Sequence, residues 1–153
     1  MELARINLLN FLTIAPNLVP EVFQKPSVRN PIAVSLGAVG GALSRYYLSL
    51  WMAKAFSTAL PYATIFVNST GSFLIGLLTT LILERTVLIS PETRLLIIIG
   101  FLGSYTTFSS YELDTLNIAR EYSWISAIAY WLGSAVLGFF FLCLGIAATR
   151  IIK

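Results

Sequence analysis

Residues 62–83 read YATIFVNSTGSFLIGLLTTLIL, with no charge between Pro61 in front and the Glu84-Arg85 pair behind. A bilayer core of about 30 Å is crossed by roughly 20 mostly apolar residues in a helix, so this stretch has the character of one membrane crossing. Three more stretches, near 32–53, 93–111 and 123–149, lie between charged or proline-marked breaks and read the same way. Together the four predict an all-α, integral membrane four-helix bundle occupying residues 31–153, behind an N-terminal extension of residues 1–30.

Composition agrees with a lipid solvent. Of 153 residues, 57% are hydrophobic and 11% charged, and histidine is absent. Soluble domains are about a quarter charged, so this chain cannot cover its surface with polar groups. The formal charge is +3, and the basic residues are scattered singly, which leaves no nucleic-acid footprint. The lone Cys143 allows neither an intrachain disulfide nor a cysteine metal set. Without histidine, a hydrolase has little from which to build a nucleophile–base pair.

The third stretch changes character along its length. Leu95 to Ile99 is strongly apolar, whereas 100–110 reads GFLGSYTTFSS, rich in glycine, hydroxyls and aromatics. Helix is expected to be weak there, and non-helical backbone at membrane depth survives only where protein or a wet cavity satisfies it. A broken third span is therefore the first functional candidate. The extension carries Pro16, Pro20 and Pro26, with Pro31 just beyond, and its apolar run, Leu8 to Ala15, is too short to span. An interfacial helix followed by an extended lead-in is expected, and a signal peptide is not. With the termini and the 84–92 loop on one face, that face holds Arg5, Lys25, Arg29, Arg85, Arg94, Arg150 and Lys153, against Arg45, Lys54 and Arg120 on the other. Termini inside is favoured, but outside the extension the count is nearly balanced, so a core of this kind could insert both ways.

Small residues recur at helix-packing spacing: Gly37 and Gly41, Ser72 and Gly76, Ser134 and Gly138. Asn68, deep in the second stretch, must bond either across helices or into a wet cavity. Phe108 and Tyr111, three apart beside Ser109 and Ser110, would share a helix face, and the positive edge of an aromatic ring can attract an anion. Tyr130 and Ser134 place two hydroxyls on one stripe of the fourth stretch, for packing or for passage. Arg45 is the one charge that could lie at some depth, where it would snorkel or focus anions. The carboxylates Glu84, Glu92, Glu112, Asp114 and Glu121 lie at or beyond the span ends, which counts against proton-coupled transport.

Four blocks now stand in order: GAVGGALSRYYLSLW, TIFVNSTGSFLIGLL, GFLGSYTTFSSYELD and YWLGSAVLG. Together they resemble the Fluc (CrcB) family of small fluoride channels over nearly all of residues 33–150. The resemblance implies an antiparallel dual-topology homodimer with two pores in a multi-pass cell membrane, most simply a bacterial inner membrane. It implies passive export of fluoride, and a structural, untransported Na+ held at the break by backbone carbonyls of Gly103 and Thr106 from both subunits. By motif position Asn68 matches the pore asparagine, Phe108 and Tyr111 the pore phenylalanine pair, Tyr130 and Ser134 the fourth-helix donors, and Arg45 the first-helix arginine. Ser109 and Ser110 complete the expected fluoride pathway.

This sequence departs from the pattern at Tyr111, at Gly103-Ser104 in place of a glycine pair, and at Asp114 in place of glutamate. The Tyr111 hydroxyl could donate to the ion or plug its path, and the extension could bias insertion toward a heterodimer with an oppositely inserted paralogue. A small four-span multidrug-type transporter is the competing reading, for which a membrane-buried carboxylate would be needed. A structural subunit without transport is a third, against which the polar third stretch argues.

Overall fold

The computed structural model describes residues 23–56, 60–84 and 86–152. All regular structure among them is helical: α1 (Pro26–Ala55), α2 (Tyr62–Leu83), α3, α4 (Phe108–Glu121) and α5 (Trp124–Ile152). The α3 element runs without interruption through Pro91–Arg94, Leu95–Leu102 and Gly103–Tyr105.

Helix α1 starts at Pro26, so residues 26–30 are helical and not the extended lead-in expected of them. Proline suits a first turn, where its missing N–H would be unpaired anyway, and Pro31 costs one bond close to the helix start. The expected interfacial helix, in residues 1–22, lies outside the described residues. At the head of α3, Ser90 caps the helix by accepting from the Thr93 N–H at 3.1 Å, and Pro91 opens it. Glu92 in that turn pairs with Arg29 of α1 at 2.7 Å. Its carboxyl is held below the ordinary range by its own backbone N–H, then the Ser90 hydroxyl and Arg29. A depressed acid adds stability above its unfolded pKa and loses it as pH falls through the folded one, so this tie opens only on acidification.

The helices pair mainly as α1 on α3 and α2 on α5, with α4 also against α5. Glycine sets both pairings. A Cβ at Gly37 would fall on the Leu96 carbonyl oxygen, and one at Gly41 on that of Phe101. The α3 backbone they meet is wound as a π-helix over Leu95–Leu102. Such wide turns are rare and frequently mark functional sites. Helix, expected to be weak over Gly100 to Ser110, persists through Tyr105. Gly100 lies against the Val34 carbonyl, so here glycine serves close packing rather than a break.

Between α2 and α5 the close approaches are Gly76 against the Leu142 carbonyl and Gly145 against the Phe73 carbonyl. Gly138, expected to provide such a contact, does not: an added Cβ would lie 3.6 Å from the Ser72 hydroxyl, ordinary contact distance.

Among the described residues, two helices are long and apolar enough to cross a membrane, Tyr62–Leu83 and Trp124–Ile151. Only 11% of the most apolar window of the latter is buried, so it is not the core helix of a soluble protein. Ile125, Val136 and Phe139 are each more than two-thirds exposed. Each would cost about 1.5–3 kcal/mol left in water, and lipid removes that cost.

Replacing Gly37 by valine is expected to lower stability by about 1–3 kcal/mol or more, because its Cβ meets backbone and not a movable side chain. Gly133→Ala, with nothing within 4 Å, should leave it unchanged. Thermal unfolding in detergent, followed by size-exclusion chromatography, compares the two.

Candidate functional site

The site is built where the polypeptide leaves the helix between α3 and α4. Thr106 is extended at φ −81°, ψ 161°, and Thr107 at φ −150°, ψ 119°. Gly71 on α2 makes room, since a Cβ there would strike the Thr106 methyl. The Thr106 N–H and hydroxyl both return to the Leu102 carbonyl, at 3.1 and 3.0 Å, and close α3. Thr107 opens α4 as its N-cap, accepting from the Ser110 N–H at 3.2 Å and donating to the Ser110 hydroxyl at 3.0 Å.

Leaving the helix exposes the Thr107 peptide, and Asn68 of α2 meets it on both sides. The Thr107 N–H donates to Asn68 Oδ1 at 2.8 Å, and Asn68 Nδ2 donates to the Thr107 carbonyl at 3.0 Å. Because the N–H must face an oxygen, this pairing also fixes which way the amide points. One N–H of the amide remains beyond the clamp.

The break has a second consequence. In a continuous helix the Gly103 carbonyl would accept from the N–H of residue 107, and the Thr106 carbonyl from that of residue 110. Those donors go instead to Asn68 Oδ1 and Thr107 Oγ1. Both carbonyls therefore lack their helical partners. Gly103 and Thr106 line an open groove of about 320 Å³ together with Asn68, Ser72 and Phe108.

A neighbouring cleft of about 350 Å³ is walled by Asn68, Phe108, Tyr111, Ser134 and Phe139, with no charged residue in its lining. The Phe108 and Tyr111 rings do share a face, with centroids 5.8 Å apart and planes tilted by 51°. Tyr111 also meets Tyr130, with ring centroids at the same 5.8 Å. The Tyr130 hydroxyl is buried, and the hydroxyl beside it is that of Ser134. The Tyr111 hydroxyl donates to the Trp131 carbonyl at 2.6 Å.

The structure thus brings Asn68, Phe108, Tyr111 and Ser134 to one cleft, and Gly103 and Thr106 to the groove beside it. Ser110 belongs to the α4 cap, and Ser109 lies 3.5 Å from the same Thr107 hydroxyl. Arg45, half-buried on α1, lines neither space and forms no ion pair among the described residues. Sequence reasoning did not single out Thr107, whose T-x-x-S spacing carries the capping signal, or Trp131. It also missed the bond from the Thr64 hydroxyl to Asp114 at 2.6 Å, made across fifty positions with no local signature.

The family model described as CrcB-like protein, Camphor Resistance (CrcB), matches residues 32–146. The chain belongs to the CrcB family. Its CrcB relatives include proteins named fluoride-specific ion channel FluC. That of Trichormus variabilis is 52% identical over 130 residues, covering 85% of this chain and 95% of the relative. That of a Synechococcus species is 50% identical over 126 residues, 82% and 96% of the two chains. That of a Synechocystis species is 43% identical over 124 residues, 81% and 95%. Such proteins are channels, not enzymes, and the apolar surfaces of α2 and α5 agree that this is a membrane protein.

Removing the Asn68 amide leaves both halves of the Thr107 peptide unpaired, at about 1–3 kcal/mol for each buried group. Asn68→Leu is therefore expected to lower the unfolding temperature in detergent markedly. Ser72→Ala, on the same cleft but outside the clamp, should shift it little.

Proposed function

We propose that the chain is a passive, fluoride-selective channel that lets fluoride leave the cytoplasm across the cell membrane and so relieves its toxicity. The observation that carries this reading is the neutral cleft walled by Phe108 and Tyr111, in a chain half identical to proteins named fluoride-specific ion channels. Fluoride is small and strongly hydrated. A pathway must replace its water with several donors without one that holds it too tightly. The free N–H of Asn68 and the neighbouring hydroxyls of Ser134 and Tyr130 supply donors, and the Phe108 edge supplies a weakly positive surface. No step needs a titrating group, so the flow follows the gradient.

The active unit in this reading is an antiparallel homodimer of four-span subunits, with α3 and α4 forming one interrupted span. A partner subunit would close the open groove. The Gly103 and Thr106 carbonyls, deprived of their helical donors, are the right class of ligand for a hard cation, and two from each subunit would hold the structural Na+. When bound, that ion supplies fixed positive charge beside the anion path. The residues themselves contribute neutral oxygens on a backbone held in place by Asn68.

A multidrug-type transporter finds no support. Asp114 is bonded to Thr64 in the first turn of α2, at the end of the crossing and not its middle.

In sodium-loaded liposomes containing the purified protein, fluoride efflux read by electrode should be rapid, with little chloride leak. Phe108→Ile should reduce it by at least about tenfold, the loss of roughly one 1.4 kcal/mol interaction from the path. A chloride leak matching the fluoride rate would sink the proposal. Exchanging sodium for N-methylglucamine on both faces should also slow the efflux.

A further inference from the structure

Two hydrogen bonds from consecutive residues of α4 converge on one residue of α5. The Tyr111 hydroxyl donates to the backbone carbonyl of Trp131 at 2.6 Å, and the Trp131 indole N–H donates to Glu112 Oε1 at 3.2 Å. One bond uses the main chain of Trp131 and the other its side chain, so together they resist both sliding and rotation of α4 on α5. Tyr111 is buried against Phe108 and Tyr130. Tyr111 lines the cleft, whereas Trp131, whose carbonyl accepts its hydrogen bond, does not.

We infer that Tyr111 is a positioning residue whose hydroxyl anchors the ring to Trp131 and is not offered to the passing ion. The inference rests on the channel reading above. A second phenol O–H pointing into the path, added to the donors of Asn68, Tyr130 and Ser134, would hold fluoride more tightly and slow its release. With the proton committed to a carbonyl, the path meets only the ring, and toward the ion Tyr111 behaves as a phenylalanine would. The hydroxyl then acts through geometry, holding the ring where Phe108 packs against it at a tilt, while Glu112 and Trp131 hold the two helices in register.

The test uses the full-length protein labelled with [13Cζ]tyrosine and fluoride flux from the same preparations. The Tyr111 resonance, assigned by its absence in Tyr111→Phe, should move no further on fluoride titration than that of Tyr105. Tyr105 is also buried, has its hydroxyl paired with Thr70 and is absent from the cleft lining. Tyr111→Phe should lower the maximal efflux rate about fivefold, the scale of one net hydrogen bond, and leave the half-saturating fluoride concentration within about twofold. Trp131→Phe, which spares the accepting carbonyl and loses only the indole bond, should fall between the two.

A fluoride-dependent shift at Tyr111, or a raised half-saturation in Tyr111→Phe, would overturn the inference by making the hydroxyl an ion ligand. Unchanged kinetics in Tyr111→Phe would overturn it too, because the anchor would position nothing. Absence of fluoride efflux from the wild-type protein is a separate result, which removes the channel reading and this inference with it.

Discussion

In hydrocarbon, a peptide group that leaves the helical ladder has no water to turn to, and at Thr107 both halves of that group are met by the single amide of Asn68. This pairing lets the polypeptide run extended for two residues between α3 and α4. The rest of the site follows from it. The donors that would have capped the Gly103 and Thr106 carbonyls are drawn away, α4 restarts on the Thr107 cap, and Phe108 and Tyr111 emerge together at the first turn. The two readings of Asn68, clamp or pathway donor, are therefore not exclusive: the clamp consumes the oxygen and one N–H, and one N–H remains.

Close packing makes such a break tolerable. Gly37 and Gly41 bring the α1 backbone onto the wide turn of α3, and Gly76 and Gly145 bring α2 onto α5. Lipid gives apolar side chains no reason to prefer a neighbouring helix to a lipid tail, so association depends on backbones that can come near and on hydrogen bonds between helices. The Asn68–Thr107, Thr64–Asp114 and Tyr111–Trp131 bonds tie α4 to α2 and α5, the ties available to a short helix of modest hydropathy. On the proposed reading, the same economy of charge that suits the bilayer suits a small anion, because neutral donors solvate it without trapping it.

Much of this was legible in the sequence because the signals were local. The uncharged run 62–83 coincides with α2, and the i, i+3 spacing of Phe108 and Tyr111 put both rings on one face. Prolines mislead where they stand: Pro26 and Pro31 read as an extended lead-in, but Pro26 in the first turn sacrifices no bond, Pro31 one turn further costs only one, and the helix begins at Pro26. Glycine misled in the same way at Gly100, where a residue of poor helix propensity is kept because only it allows the Val34 carbonyl to approach. What stayed hidden was tertiary. Nothing near Tyr111 says that its hydroxyl meets a carbonyl twenty residues away, and nothing near Thr64 announces Asp114.

The central claim is that the Asn68-clamped break builds the site, and an experimental structure in lipid with sodium and fluoride tests it most directly. The account predicts two antiparallel copies, the Asn68 amide paired with Thr107 in each, and cation density among the Gly103 and Thr106 carbonyls between them. A helix continuous through Thr106 and Thr107, with Asn68 bonded elsewhere, would contradict it.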